Sequence, residues 1–201
     1  MDAVGGLWCV NLGYSNARVK EAIARQLAEL PYYSAFAGTS NPAAIEASWA
    51  VREVFAEDGM ARVFFTSGGS DSVDTCLRLA RQYHKLRGEP GRIKFLSLKK
   101  GYHGTHWGGA SVNGNARFRT AYEPMLPGCF HLPSPYTYRN PFDETDPDRL
   151  AERIAAMAED EIAFQDPSTI AAFIMEPIQG AGGVIVPPAR FMGLMREICD
   201  R

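Results

Sequence analysis

Apolar residues recur along this chain at helical or strand spacing, interrupted by stops of glycine, proline and asparagine. Val19, Ile23, Leu27 and Leu30 share one helical face, so a helix is predicted to start near Asn16 and to end at Pro31. Asn41 followed by Pro42 predicts a second helix, ending near Gly59. Asparagine accepts from free N–H groups at a cap, and proline loses nothing at the first helical position. Val63 to Phe65 reads as a short strand that runs into a helix with Val73, Leu77, Ala80 and His84 on one face, closed by Gly88. Ile93 to Leu98 is the next strand, and 113–140 is a glycine- and proline-punctuated excursion without a clear period. Asp146-Pro147 opens a helix that turns Leu150, Ile154 and Met157 inward. Ile170 to Met175 reads as a buried strand and Val184 to Val186 as a short extended piece. Pro187-Pro188 leads into a last helix through Phe191, Met195 and Ile198. This alternation predicts an α/β fold with a mostly parallel sheet and flanking helices, in which ligands gather beyond the C-terminal ends of strands.

Composition narrows the class. With 46% hydrophobic and 22% charged residues in 201, and a net charge of −2, the chain reads as a soluble cytoplasmic protein with a sizeable core. Arg78, Arg81, Lys85 and Arg87 fall among helix positions and read as a solvated face, so no nucleic acid is expected as a partner. Cys9, Cys76, Cys129 and Cys199 are dispersed, without CxxC spacing; reduced thiols and no metal are expected. No basic leader precedes an apolar core at the N-terminus, and no apolar run approaches a membrane span of ~18 residues.

The chemistry concentrates at two turns. Thr66-Ser67-Gly68-Gly69-Ser70-Asp71 lies between a predicted strand and a helix. There the glycines allow a tight turn, and the first free N–H groups of the helix converge with the positive end of its dipole. Such a turn suits a phosphate, although by itself it is often only a connection. It is neither GxxxxGK[ST] nor GxGxxG. About thirty residues on, Lys100-Gly101-Tyr102-His103-Gly104 offers an aromatic face after another strand. Together the two turns suggest a phosphorylated aromatic cofactor. Glu176, at the end of an apolar strand, is costly there unless paired.

Gly6-Leu7-Trp8-Cys9-Val10-Asn11, Ser67-Gly68-Gly69-Ser70-Asp71, Gly101-Tyr102-His103-Gly104 and Glu176-Pro177-Ile178-Gln179-Gly180-Ala181-Gly182-Gly183, in this order, resemble the class III (omega) aminotransferases that use an amine or omega-amino acid and pyruvate. The resemblance runs over essentially the whole chain. It implies pyridoxal 5'-phosphate as cofactor and part of the large domain of a fold type I pyridoxal-phosphate enzyme. Residues 1–45 would be an N-terminal segment contributing to a dimer and to the active site, and 46–201 part of the cofactor-binding domain. Small-molecule amines and keto acids would be the substrates, and a homodimer or higher oligomer the assembly.

Residue by residue, the resemblance implies that Gly69 and Ser70 hold the phosphate and Tyr102 stacks on the ring. His103 would line the cofactor edge or donate to the backbone. Glu176 would form part of the wall and in relatives can pair with an arginine. Trp8, Phe36 and Ala181 match positions of the substrate pocket, and Tyr33, Phe36 and Gly38 look like a segment that reaches across a dimer. Core packing for Trp8, a buried strand-end tyrosine for Tyr102, and a tight turn at Ala181 stay open from the residues alone. Asp71 is expected to point away from an anion. The Schiff-base lysine and the aspartate for the pyridine nitrogen are expected outside these residues. Lys20, Lys85, Lys94, Lys99 and Lys100 lack the family context and read as surface charge. The chain is therefore expected to be truncated at both ends relative to the family and inactive alone. An aminomutase, racemase or decarboxylase sharing the cradle, or a non-catalytic partner-binding piece, are the alternatives.

Overall fold

Asn16 caps the first helix as its position predicts: its side chain accepts from the Val19 N–H at 3.2 Å, and α1 runs Ala17–Glu29. Asn41 does the same for α2, Pro42–Val54, accepting from Ala44 N–H at 2.9 Å. The computed structural model describes residues 1–36 and 38–201, which fall into two compact units, Met1–Phe64 and Phe65–Arg201. In the first unit α2 stops before the expected Gly59. Phe55 N–H turns back to Arg52 C=O, and tight turns carry the chain to Gly59 at φ +69°. None of the described residues of this unit is buried, and Val19, Ile23 and Leu27 present the apolar stripe of α1 to solvent.

The second unit is a three-stranded parallel sheet with helices. The expected strand at Val63 to Phe65 is absent: residues 60–66 have no strand assignment and no ladder partner among the described residues. An apolar β-branched and aromatic run needs a neighbouring backbone before it becomes a strand. The helix after it forms as expected: α3 spans Gly69–Leu86, with Gly88 beyond its end at φ +82°. His84 joins it to the sheet, its Nε2 lying 2.8 Å from Ala171 C=O.

Strand β1, Lys94–Leu98, lies at the centre of the order β2-β1-β3, between β2, Cys129–Leu132, and β3, Ile170–Ile174, and pairs in parallel with both. Phe95, Leu96 and Leu98 are at most 3% exposed, the apolar content expected of a strand covered on both faces. In this unit, besides three single-turn 3-10 helices, one α-helix and one strand are not predicted by the sequence. The short α4, Trp107–Val112, is buried at Gly108, Gly109, Ala110, Ser111 and Val112, and β2 interrupts what looked like an aperiodic stretch.

Helix α5, Pro147–Gln165, starts at the Asp146 cap, and α6 spans Phe191–Asp200. Leu98, Leu132, Leu150, Ile154, Phe191 and Met195 form one core cluster; Leu77, Phe95 and Val112 form another. Leu150 and Ile154 point inward as expected, but Met157 is 39% exposed. The buried stripe is instead completed by Ala151, Ala155 and Ala158, small residues whose inward placement a search for large apolar side chains passes over. Val184 is not extended either, at φ +53°; only Ile185 makes a bridge, to Gln179.

Candidate active site

Helix α3 begins at an open, donor-rich end. Gly68 is its N-cap in extended conformation, and no side chain caps it. The hydroxyls of Thr66 and Ser72 instead tether the lead-in by donating to Gly68 C=O at 3.0 and 3.1 Å. A Cβ added at Gly68 or Gly69 would meet nothing within 4 Å, so there is space before the helix. The N–H groups of Gly69, Ser70 and Asp71 have no intrahelical acceptor, and the helix dipole adds partial positive charge at the same place. The Asp71 carboxylate, the one acidic group of this turn, is 3.2 Å from His106 Nδ1, where a cationic partner would neutralise it.

The second turn is built against the first. Thr105 N–H donates to Ser70 Oγ at 3.0 Å, which leaves the Ser70 hydroxyl hydrogen to donate elsewhere. At Gly104, φ is +94° and a Cβ would lie 2.7 Å from Ser70 Oγ and 2.9 Å from its Cα, so a side chain there would drive the loop off the helix. Lys100 takes the left-handed conformation at φ +66° where the chain leaves β1. Tyr102 N–H donates to Glu176 Oε1 at 2.8 Å. Its ring is tilted 59° to that of Phe118, with centroids 4.8 Å apart, and remains 36% exposed.

Glu176 closes the arrangement from the end of β3. Its second oxygen accepts from Gly180 N–H at 2.9 Å, so one carboxylate joins the loops that follow β1 and β3. Charge-assisted bonds of this kind contribute about 1.5–3 kcal/mol each. The costly carboxylate of the sequence is therefore met by two main-chain donors. Gln179 works beside it, 2% exposed: it donates to Lys99 C=O at 2.9 Å and accepts from the Ser134 hydroxyl.

His103 sits under this surface at 5% exposure, its Nε2 without a partner among the described residues. Burial pushes its pKa down, and the charge of Glu176 opposes that in part. His131 on β2 is a second imidazole with an unpartnered buried Nε2. Its pKa is also lowered, first by burial and then by the charge of Arg119.

Ser70, Tyr102, His103 and Glu176 thus converge at the C-terminal ends of β1 and β3. Ala181 is exposed in the turn after Glu176. Trp8 and Phe36 belong to the first unit, where they are 59% and 81% exposed. Gln179, Ser134, Asn113 and His131 were given no role by sequence. Gln179 carried a signal, its place in the Glu176-to-Gly183 motif; the others carried none. Lys99 is exposed, and Lys100 Nζ lies 5.3 Å from the Tyr136 ring centre. Among the described residues the four cysteines are free, no acidic, histidine or cysteine cluster could hold a metal, and no helix is long and apolar enough to cross a membrane.

A parallel α/β sheet with a donor-rich turn and an aromatic loop beyond its strand ends defines the class: an α/β scaffold that binds ligands at its strand ends. The comparisons give the family. The profile described as aminotransferase class-III matches residues 1–201, and the chain belongs to that family. The putrescine–pyruvate aminotransferase of Pseudomonas aeruginosa is 40% identical over 198 residues, covering 98% of this chain and 43% of that protein. The omega-aminotransferase of Caulobacter vibrioides is 37% identical, covering all of this chain and 45% of the relative. A pyridoxal-phosphate-bound amine transaminase from an uncultivated Pseudomonas species superposes with a TM-score of 0.97 at 51% identity, over all of this chain and 45% of that one. The chain thus spans less than half the length of the relatives it matches.

Proposed function

We propose that these residues form the phosphate- and ring-binding part of a pyridoxal-phosphate-dependent aminotransferase. The reaction would move an amino group from an amine or omega-amino acid to a keto acid such as pyruvate. The observation that carries this reading is the joining of the α3 N-terminus to the Tyr102 loop through Ser70 and Thr105. Ser70, one of three residues whose N–H groups have no intrahelical acceptor, is thereby tied to the loop that carries the partly exposed Tyr102 ring. The cofactor fits this donor set: Gly69, Ser70 and Asp71 N–H and the Ser70 hydroxyl would hold the phosphate, and Tyr102 would face the ring. When bound, the cofactor supplies an electron sink for proton transfer at the carbon bearing the amine. The Asp71 carboxylate is engaged by His106 Nδ1 at 3.2 Å, while Glu176 holds the Tyr102 backbone. Trp8, Phe36 and Ala181 remain our candidates for the substrate pocket, and the homodimer our candidate assembly.

The test is titration of the apo form of the complete gene product with pyridoxal phosphate, followed by an assay with diamines or omega-amino acids and pyruvate. Ser70→Ala removes one charge-assisted bond and the support for Thr105, so affinity is expected to fall about tenfold or more. Unchanged affinity would take Ser70 out of the site, and a wild-type protein that binds no pyridoxal phosphate would defeat the reading as a whole.

A further inference from the structure

Residues 102–105 make no main-chain to main-chain hydrogen bonds among the described residues. Three side chains from other elements hold them instead. Glu176 takes the Tyr102 N–H and Ser70 takes the Thr105 N–H. Between these, Asn113 grips the middle: its Oδ1 accepts the His103 N–H, and its Nδ2 donates to Gly104 C=O at 2.8 Å. Asn113 is 0% exposed at the C-terminal cap of α4, so no water competes for either bond. Only a group with a donor and an acceptor on one carbon, held in one plane, can serve both main-chain groups at once.

We infer that Asn113 is a positioning residue for the proposed cofactor. By fixing His103 and Gly104 it sets the direction from which Tyr102 presents its ring and keeps Gly104 seated on Ser70. The inference rests on the cofactor reading above, since it assigns Asn113 to binding through the residues placed in that site. Two substitutions separate positioning from general packing. Asn113→Ala removes both bonds. Asn113→Asp keeps the shape; ionised, its carboxylate can accept from His103 but repels Gly104 C=O, whereas protonated it can accept and donate as the amide does. Burial raises a carboxyl pKa, so the exchange is followed by measuring the variant across a pH series.

The experiment uses the complete gene product. Pyridoxal phosphate affinity and the visible circular dichroism of the bound cofactor are measured well below each protein's melting temperature. Asn113→Ala is expected to bind about tenfold more weakly, the loss of one strong hydrogen bond, with a diminished visible dichroism signal. Asn113→Asp is expected to show the same defect near about pH 8.5 and to recover toward wild type near about pH 6, as its carboxyl takes up a proton. The buried His103 and His131 are common to both proteins, so each variant is compared with wild type at the same pH. If Asn113→Ala does not fold, the pH-dependent recovery of Asn113→Asp decides. A ratio of Asn113→Asp to wild-type affinity that does not change with pH overturns the inference while leaving the cofactor reading standing. Absence of pyridoxal phosphate binding by wild type removes both.

Discussion

Tyr102 divides its two roles between main chain and ring: the backbone N–H is spent on Glu176, and the ring is left partly exposed. Substitution should therefore act through the ring alone. Tyr102→Phe is expected to bind pyridoxal phosphate as wild type does, whereas Tyr102→Ala loses a stacking contact of about 0.5–1.5 kcal/mol. A titration of each apoprotein checks this, and equal damage in both variants would move the role to the hydroxyl. The buried histidines make a separate prediction about acid. Both imidazoles are held below their ordinary value of 6.5, chiefly by burial. Near and below that value the unfolded chain binds more protons than the folded one. Their contribution to stability is thus complete above about pH 7 and falls as pH drops through the unfolded value toward the folded one. Urea unfolding of wild type and His131→Gln, near about pH 7.5 and pH 5.5, should show the smaller acid loss in the variant. Equal losses would mean that His131 does not carry the dependence. Ser70, Tyr102 and Glu176 were legible in the sequence because each closely follows a strand or a predicted strand. Asn113 and Ser134 were not, because their partners are main-chain and side-chain atoms of segments that only folding brings near.

Two helical glycines with opposite surroundings test how closely the elements are packed. In α4, a Cβ at Gly109 would lie 2.4 Å from His103 C=O; in α6, a Cβ at Gly193 would meet nothing within 4 Å. Gly193→Ala is expected to stabilise the protein by about 0.5–1 kcal/mol, because alanine loses less backbone entropy in a helix. Gly109→Ala is expected to destabilise it by about 1–3 kcal/mol and to weaken cofactor retention, since α4 must move away from the Tyr102 loop. Denaturant midpoints check both signs, and a neutral Gly109→Ala would mean that α4 and the loop can separate freely. The same contrast explains the reading errors at this scale. Helices with capping asparagines or aspartate and large apolar stripes were found close to their observed starts. Helix α4 has four small residues in its interior and no side-chain cap at its start, and β2 takes its identity from pairing with β1.

The first unit poses the question for the whole molecule. Residues 1–64 bury no described side chain, and α1 leaves Val19, Ile23 and Leu27 between 45% and 63% exposed. An amphipathic helix in that state gains its stability when the stripe is covered. In keeping with the dimer proposed above, the protein is expected to sediment as a dimer or larger, and Ile23→Glu with Leu27→Glu to shift it toward monomer. Unchanged sedimentation of the double variant would place that face outside any subunit contact. The sequence by itself determined the parallel α/β architecture, the starts of the capped helices and the family. These depend on local periodicity, capping chemistry and motifs read in order along the chain. Tertiary structure alone decided that Val63 to Phe65 is not a strand, that alanines complete the buried stripe of α5, and that Glu176, Asn113 and Ser70 jointly hold the Tyr102 loop. Each of these is a matter of which backbone or side chain arrives alongside from a distant segment, and a hydrogen bond or a close contact exists only once both partners are in place.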